Sequence, residues 1–391
     1  MNAPIVIAGA GVGGLTAALA LAQAGKKILL LERAAKIEEI GAGLQIAPNA
    51  GRILAQLGLE PELNELGLEP QAINIRDNNA RLLARLDLTV ARERWGAPFR
   101  LFHRADLQQL LLNKVSSHPS VTIQTNARLD IFEAIKNGVN LQYKGTAGTV
   151  TLTSAGLVGA DGLRSIVRDR MVNAPRDALS YAGSVAWRAL VPADEVFEVF
   201  RRRESNLWLL PGGHVVHYPL RDGKIINIVV ILDAPLGEDA EQEIDGDTLR
   251  KRIISHGASD GLAELISAAP LWRRWPFFVR PSLKNWTQDC VTLLGDAAHP
   301  MLPFLAQGAA QAIEDAFVLG QAFTASDISA ERAFQAYEEI RKKRAQKVVA
   351  ASRQQGRYFH QAGILALARN VAIGALGGKG MLARNAWLYR R

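Results

Sequence analysis

Residues 5–33 constrain the fold more than any other part of the chain. Ile5-Val6-Ile7-Ala8 is apolar throughout, as expected of a strand buried on both faces. Gly9-Ala10-Gly11-Val12-Gly13-Gly14 follows, then an Ala- and Leu-rich helical stretch over 15–24 that ends at Gly25. A second apolar strand over 27–31 is closed by Glu32 and Arg33. Gly9, Gly11 and Gly14 satisfy the GxGxxG spacing. In a βαβ unit these glycines permit a tight turn, close backbone approach to a pyrophosphate, and close helix–strand packing. The helix starting near Gly13 points free N–H groups and its positive dipole end at the phosphates. Glu32, eighteen residues after Gly14, stands where a carboxylate accepts ribose hydroxyls and disfavours a 2′-phosphate. An ordinary glycine turn is the alternative. The order strand, turn, helix, strand, acid predicts a dinucleotide site, without separating FAD from NAD.

Composition narrows the classes further. The 391 residues are 48% hydrophobic and 21% charged, enough for a full core and two or three domains. The single cysteine, Cys290, rules out an intramolecular disulfide, and no CxxC or Cys/His cluster offers a zinc or iron–sulfur site, so no metal is expected. A reducing, cytoplasmic setting is the expectation. The opening MNAPIVIAGAGVGG has no basic stretch ahead of its apolar run, so no signal peptide is expected. No apolar run approaches membrane-spanning length, so no integral membrane contact is expected. Net charge is +8, and residues 338–357 hold seven basic and two acidic residues. That run reads as one face of a solvated helix. Without a base-reading module, nucleic acid is not an expected partner.

Further along, residues 66–92 alternate apolar and polar, predicting strands in a second sheet, and 104–115 reads as a helix. Strands are predicted at 121–125, 139–143, 149–153, 187–191, 207–210, 214–220 and 225–232, with Asp222-Gly223 turning between the last two. The fold class is mixed α/β and α+β. A Rossmann-like domain with a parallel sheet (1–70, 100–178 and 271–330) interleaves with an antiparallel-sheet substrate domain (71–99 and 179–270). A helical C-terminal region (331–391) follows.

Two more segments carry the cofactor. Residues 158–168 read VGADGLRSIVR, and 295–315 read GDAAHPMLPFLAQGAAQAIED. Together with GAGVGG, GAGLQIAPNA (41–50), HRADL (103–107) and AWRALVP (186–192), these resemble the single-component FAD-dependent aromatic hydroxylases. The similarity spans nearly the whole chain in order. It is strongest to the branch with salicylate hydroxylase, 3-hydroxybenzoate 6-hydroxylase and 6-hydroxynicotinate 3-monooxygenase. The resemblance implies tightly but non-covalently bound FAD, with NADH or NADPH as a transient co-substrate. It also implies O2 activated as a flavin C4a-hydroperoxide and a small aromatic substrate, phenolic or hydroxybenzoate-like. Other rings (purine, pyridine, quinone precursor) and a non-catalytic nucleotide-binding protein are the alternatives. The sequence leaves open NADH against NADPH and whether the chain forms a homodimer.

By this resemblance Asp296 accepts ribityl hydroxyls, while the helix from Gly308 and Ala309 supports the N1–O2 end of the ring. The family often has Asn where this chain has Ala310. Arg104 hydrogen-bonds FAD, and the Leu129 backbone meets adenine. Asp161 lies in the segment that touches FAD and the entering nicotinamide nucleotide, with Arg164 and Arg168 as helpers there; alternatively Asp161 caps the following helix and Arg168 makes a local ion pair. Gln45 contacts FAD or substrate, Pro303 lines the flavin beside the substrate, and Tyr218 lines the substrate pocket. For the base, His214 and His217 are three apart on a strand and so face opposite ways. Parity does not choose between them; the closest families align their catalytic His with His214. His299 reads as a structural loop residue.

Overall fold

The computed structural model describes residues 3–37, 43–172, 179–237, 243–324 and 328–390. Gly41 and Ala42 of the second glycine-rich loop lie outside them.

The apolar strands of the first motif do what their composition demands. Ile5–Ala8 is buried along its length and sits between Gly156–Gly159 and Ile28–Leu31, parallel to both. Val121–Gln124 extends this sheet on one side, and Val291–Leu293 with Thr287–Gln288 extends it on the other. The helix Val12–Gln23 is buried on nearly all sides. Small residues let it lie tightly against its neighbours: a Cβ at Gly320 on the helix Gly308–Ala322 would come within 2.8 Å of the Ala20 Cβ.

A second sheet has eight strands, in the order Glu243–Asp245, Leu271–Val279, Ser180–Pro192, Ile225–Asp233, Gly213–Leu220, Glu204–Leu210, Ala72–Arg76, Leu82–Asp87. Its pairs are antiparallel except Glu204–Leu210 with Ala72–Arg76. The strand Leu271–Val279 pairs with Ser180–Pro192, so this sheet runs past residue 270. One face carries Trp187, Trp208, Leu210, Val215, Ile228 and Val230 in a core with the helices Gly246–Ser255 and Asp260–Ser267. Alternation turns His214, Val216 and Tyr218 the other way, toward the parallel-sheet domain.

A separate three-stranded sheet holds Arg128–Ile135, Gly138–Gly145 and Gly148–Ser154. Two long helices close the chain, Ala330–Phe359 and Gly363–Tyr389, the second broken at Gly377 (φ 59°, ψ −176°). The charge run on the first is not simply a solvated face. Arg341 is 2% exposed and turned into the core, because two acidic side chains wait there. Among the described residues, no helix is long and apolar enough to cross a membrane.

Candidate active site

Four sequence-predicted positions meet at the carboxyl edge of the parallel sheet. Gly9 follows Ile5–Ala8, Glu32 follows Ile28–Leu31, Asp161 follows Gly156–Gly159, and Asp296 follows Val291–Leu293. This is the edge where open α/β sheets bind ligands. Gly14 is packed so closely that a Cβ would lie 1.9 Å from the Gly9 carbonyl oxygen. At Gly11, which opens the helix Val12–Gln23, a Cβ would meet nothing within 4 Å, so the backbone there is approachable.

Glu32 also shapes the loop. Its Oε2 accepts the Ala10 N–H and its Oε1 the Ala34 N–H, both at 2.9 Å. Each oxygen keeps a lone pair for a ribose hydroxyl. Arg33 is exposed beside it. The Ala127 N–H donates to the Glu32 carbonyl, which lays the strand of Leu129 alongside; the Leu129 side chain itself is core. Gln108 was not singled out by the sequence, yet its buried amide donates to the Ala10 carbonyl at 3.1 Å.

Asp296 opens to the cleft but is densely surrounded by protein. That crowding raises its carboxyl pKa, against the opposing pull of His299 and Arg104. Arg104 heads the helix Arg104–Ser116, close enough for its charge to act on Asp296. Gly308 heads the helix Gly308–Ala322, and a Cβ there would meet only the Met301 Cγ, at 3.9 Å. Ala309 is half-buried beside it. The open glycine turn, the Glu32 carboxylate at the ribose position, and the Asp296 carboxylate facing the cleft fit FAD.

Asp161 is occupied locally. Its carboxylate accepts the Ser165 hydroxyl at 2.5 Å and the Ile166 N–H at 2.7 Å, holding the start of the helix Ile166–Met171. Arg168 is fully buried and donates to the carbonyls of Ala297 and Pro281, clamping the loop that carries Asp296. His299 is bonded through Nε2 to Asp315 at 2.5 Å. Asp315 also accepts the Gly295 N–H at 3.0 Å and the Arg341 Nε–H at 2.7 Å. His299 and Arg341 hold its carboxyl down at about 2 despite complete burial. Glu314 bonds both Arg341 and Arg344. The cofactor loop is thus tied to the C-terminal helix by a network that no local motif announces.

The structure separates the two histidines. His217 lies on the far face, stacked on Trp208 and edge-on to Phe200. Burial and nearby Arg76 push its pKa to about 3, and neither ring nitrogen has a partner among the described residues. His214 lies on the near face, its ring 5.7 Å from Phe304 and 5.4 Å from Phe359. Burial, then His360, lower its pKa well below the usual value. Phe304 belongs to the turn Pro303–Leu305, which brings Pro303 to this face. On the same strand Tyr218 is buried, which raises its phenol pKa against smaller opposing effects of Arg188 and Gln45. Gly43 makes room for it, since a Cβ there would lie 2.6 Å from the Tyr218 hydroxyl.

Comparison with known proteins agrees with this geometry. The profile described as "FAD binding domain" matches residues 2–352. The chain belongs to this FAD-binding family. It is 34% identical to a 3-hydroxybenzoate 6-hydroxylase of Klebsiella oxytoca, covering 94% of this chain and 91% of the relative. It is 35% identical to a 3-amino-4-hydroxybenzoate 2-monooxygenase of Streptomyces platensis, covering 91% and 88%. Its fold is similar to that of Klebsiella pneumoniae HpxO complexed with FAD and uric acid, with TM-score 0.85, 27% identity, and 97% and 95% of the two chains covered. The chain is an FAD-dependent aromatic monooxygenase.

Proposed function

We propose that the chain hydroxylates a hydroxybenzoate-type ring, with NADH or NADPH as electron donor, O2 as oxygen source, and His214 as the base that takes the phenol proton. The observation that carries this is His214 itself: buried on the sheet face that meets the Pro303–Leu305 turn, with its Nδ1 2.8 Å from the His360 Nε2. A neutral imidazole accepts a proton, and a ring that loses its phenol proton becomes a better nucleophile. FAD, held by the glycine cradle, Glu32, Arg104 and Asp296, supplies reduction by NAD(P)H and activation of O2 when bound.

The chain's other residues position the ring and keep it dry. Phe304 and Phe359 pack beside the His214 ring and keep bulk water from it. Tyr218, buried beside Gln45 and against Gly43, forms a wall of the site. Pro303 has no proton to give or take, which leaves that task to His214. The names of the sequence relatives support the ring class, and the lone buried Cys290 supports a reducing, cytoplasmic setting.

The test is a panel of 3-hydroxybenzoate, salicylate, 3-amino-4-hydroxybenzoate and urate, each with NADH and NADPH, given to purified holoprotein. A hydroxybenzoate is expected to stimulate NAD(P)H oxidation and to yield a product gaining one oxygen. Product from urate alone would replace this reading with a purine hydroxylase.

A further inference from the structure

We propose that His360 and Asp233 form a proton relay behind His214, in which Asp233 sets the tautomers of both imidazoles so that the Nε2 of His214 is the proton acceptor. Neither residue belongs to the cofactor segments. His360 follows the end of the helix Ala330–Phe359, and Asp233 ends the strand Ile225–Asp233. The relay rests on the reading of His214 as the base.

The geometry is a single line of hydrogen bonds. The His214 Nδ1 is 2.8 Å from the His360 Nε2, and the His360 Nδ1 is 2.7 Å from the Asp233 Oδ1. The Ser184 hydroxyl donates to the same Asp233 oxygen at 2.7 Å. An ionised carboxylate only accepts, so His360 carries its proton on Nδ1. Its Nε2 is then a lone pair, which requires a proton on the Nδ1 of His214. That leaves the Nε2 of His214 unprotonated. A second carboxylate-bound histidine thus fixes the first, as outer partners fix ring orientation at metal-bound histidines.

The line also gives the proton somewhere to go. His214 is buried and resists holding a charge. When the phenol proton arrives at its Nε2, its Nδ1 proton passes to the Nε2 of His360. The resulting imidazolium stands against Asp233, whose pKa is lowered by that same hydrogen bond and charge although burial opposes it. One proton enters, one moves on, and no electrons change hands. As the product ring regains aromaticity, the path runs backward and returns a proton to the ring oxygen.

The outer end reaches solvent. The Asp233 side chain is 50% exposed and that of His360 only 6%. Both line an open cavity of about 530 Å³ with Ser184, Arg353 and Arg357. Among the described residues, the charged and titratable groups around the relay include Asp233, Arg353, Arg357, His256 and Tyr181, whose hydroxyl donates to the Ala234 carbonyl. His256 acts on Asp233 and hydrogen-bonds the Pro211 carbonyl at 2.7 Å.

Asp233→Asn and His360→Gln test the relay in the holoenzyme. Both are expected to retain FAD and its reduction by NAD(P)H, while coupled product formation falls about 10-fold or more near neutral pH. The deficit should shrink as pH rises, because a ring already ionised needs no base. Wild-type coupling across the pH range, or an equal loss at every pH, would overturn the relay. Nitrogen-15 NMR of labelled histidines in the wild-type holoprotein gives a readout independent of turnover. Both His214 and His360 should be protonated at Nδ1, and Asp233→Asn should mix the His360 tautomers. A His360 protonated at Nε2 alone would overturn the relay. Failure of every hydroxybenzoate in the panel, with the expected tautomers seen, would instead sink the proposed reaction.

Discussion

Replacing His214 with alanine is expected to leave FAD bound and its reduction by NAD(P)H intact while hydroxylation falls about 10²–10⁴-fold. The electrons consumed should appear mostly as hydrogen peroxide. The proposed cofactor contacts lie at the edge of the parallel sheet, whereas His214 lies on the second sheet, so removing its ring leaves the cradle alone. His217→Ala is the internal control. That ring fills an aromatic cluster with Phe200 and Trp208 on the opposite face, so its loss should lower stability and spare coupling. Product yield and peroxide, measured per NAD(P)H consumed, separate the two. Uncoupling by His217→Ala with normal yield from His214→Ala would mean that the substrate meets the other face of the sheet.

The second large effect is expected at Arg341. Arg341→Ala leaves buried Asp315 without its guanidinium and weakens the hold on Glu314, which keeps Arg344. Breaking a buried pair from one side costs about 3–5 kcal/mol. FAD affinity should fall as well, because Asp315 holds the Gly295 N–H and His299 in the loop that presents Asp296. The pH dependence has a definite sign. The Asp315 carboxyl is depressed from 3.8 to about 2 on folding, so it contributes stability above about pH 4. That contribution is lost as pH falls through about 2. The difference between wild type and Arg341→Ala should therefore be full at neutral pH and shrink in acid. Thermal midpoints measured against pH would show this; an equal midpoint for both proteins at neutral pH would contradict it.

The parts of this protein legible in its sequence are those made by neighbours in the chain. The strand, turn and helix over Ile5–Gln23 lie within one short stretch, and their glycine spacing has few other uses. Asp296 announces itself by standing just after a buried strand. Strand parity correctly states that His214 and His217 face opposite ways, but only the packed structure says which side meets the cofactor domain. Long-range partners left no such trace. His360 meets His214 across 146 residues, and Arg341 looks like any lysine-rich helix surface until Glu314 and Asp315 are seen beneath it. Arg168 reads from the sequence as a cofactor-side helper or a local ion-pair residue; its hold on carbonyls of the Asp296 loop comes from tertiary contact that the sequence does not show.

The central claim is that this chain places oxygen from O2 on a phenolic ring by a His214-dependent step. Turnover of the best hydroxybenzoate under isotopically heavy O2, with mass analysis of the product, tests it most directly. The account predicts that the wild-type product carries one heavy oxygen atom, and that His214→Ala consumes NAD(P)H while forming heavy peroxide and almost no labelled product. A product whose new oxygen comes from water, or NAD(P)H oxidation that yields only peroxide in the wild type with every hydroxybenzoate tried, would contradict it.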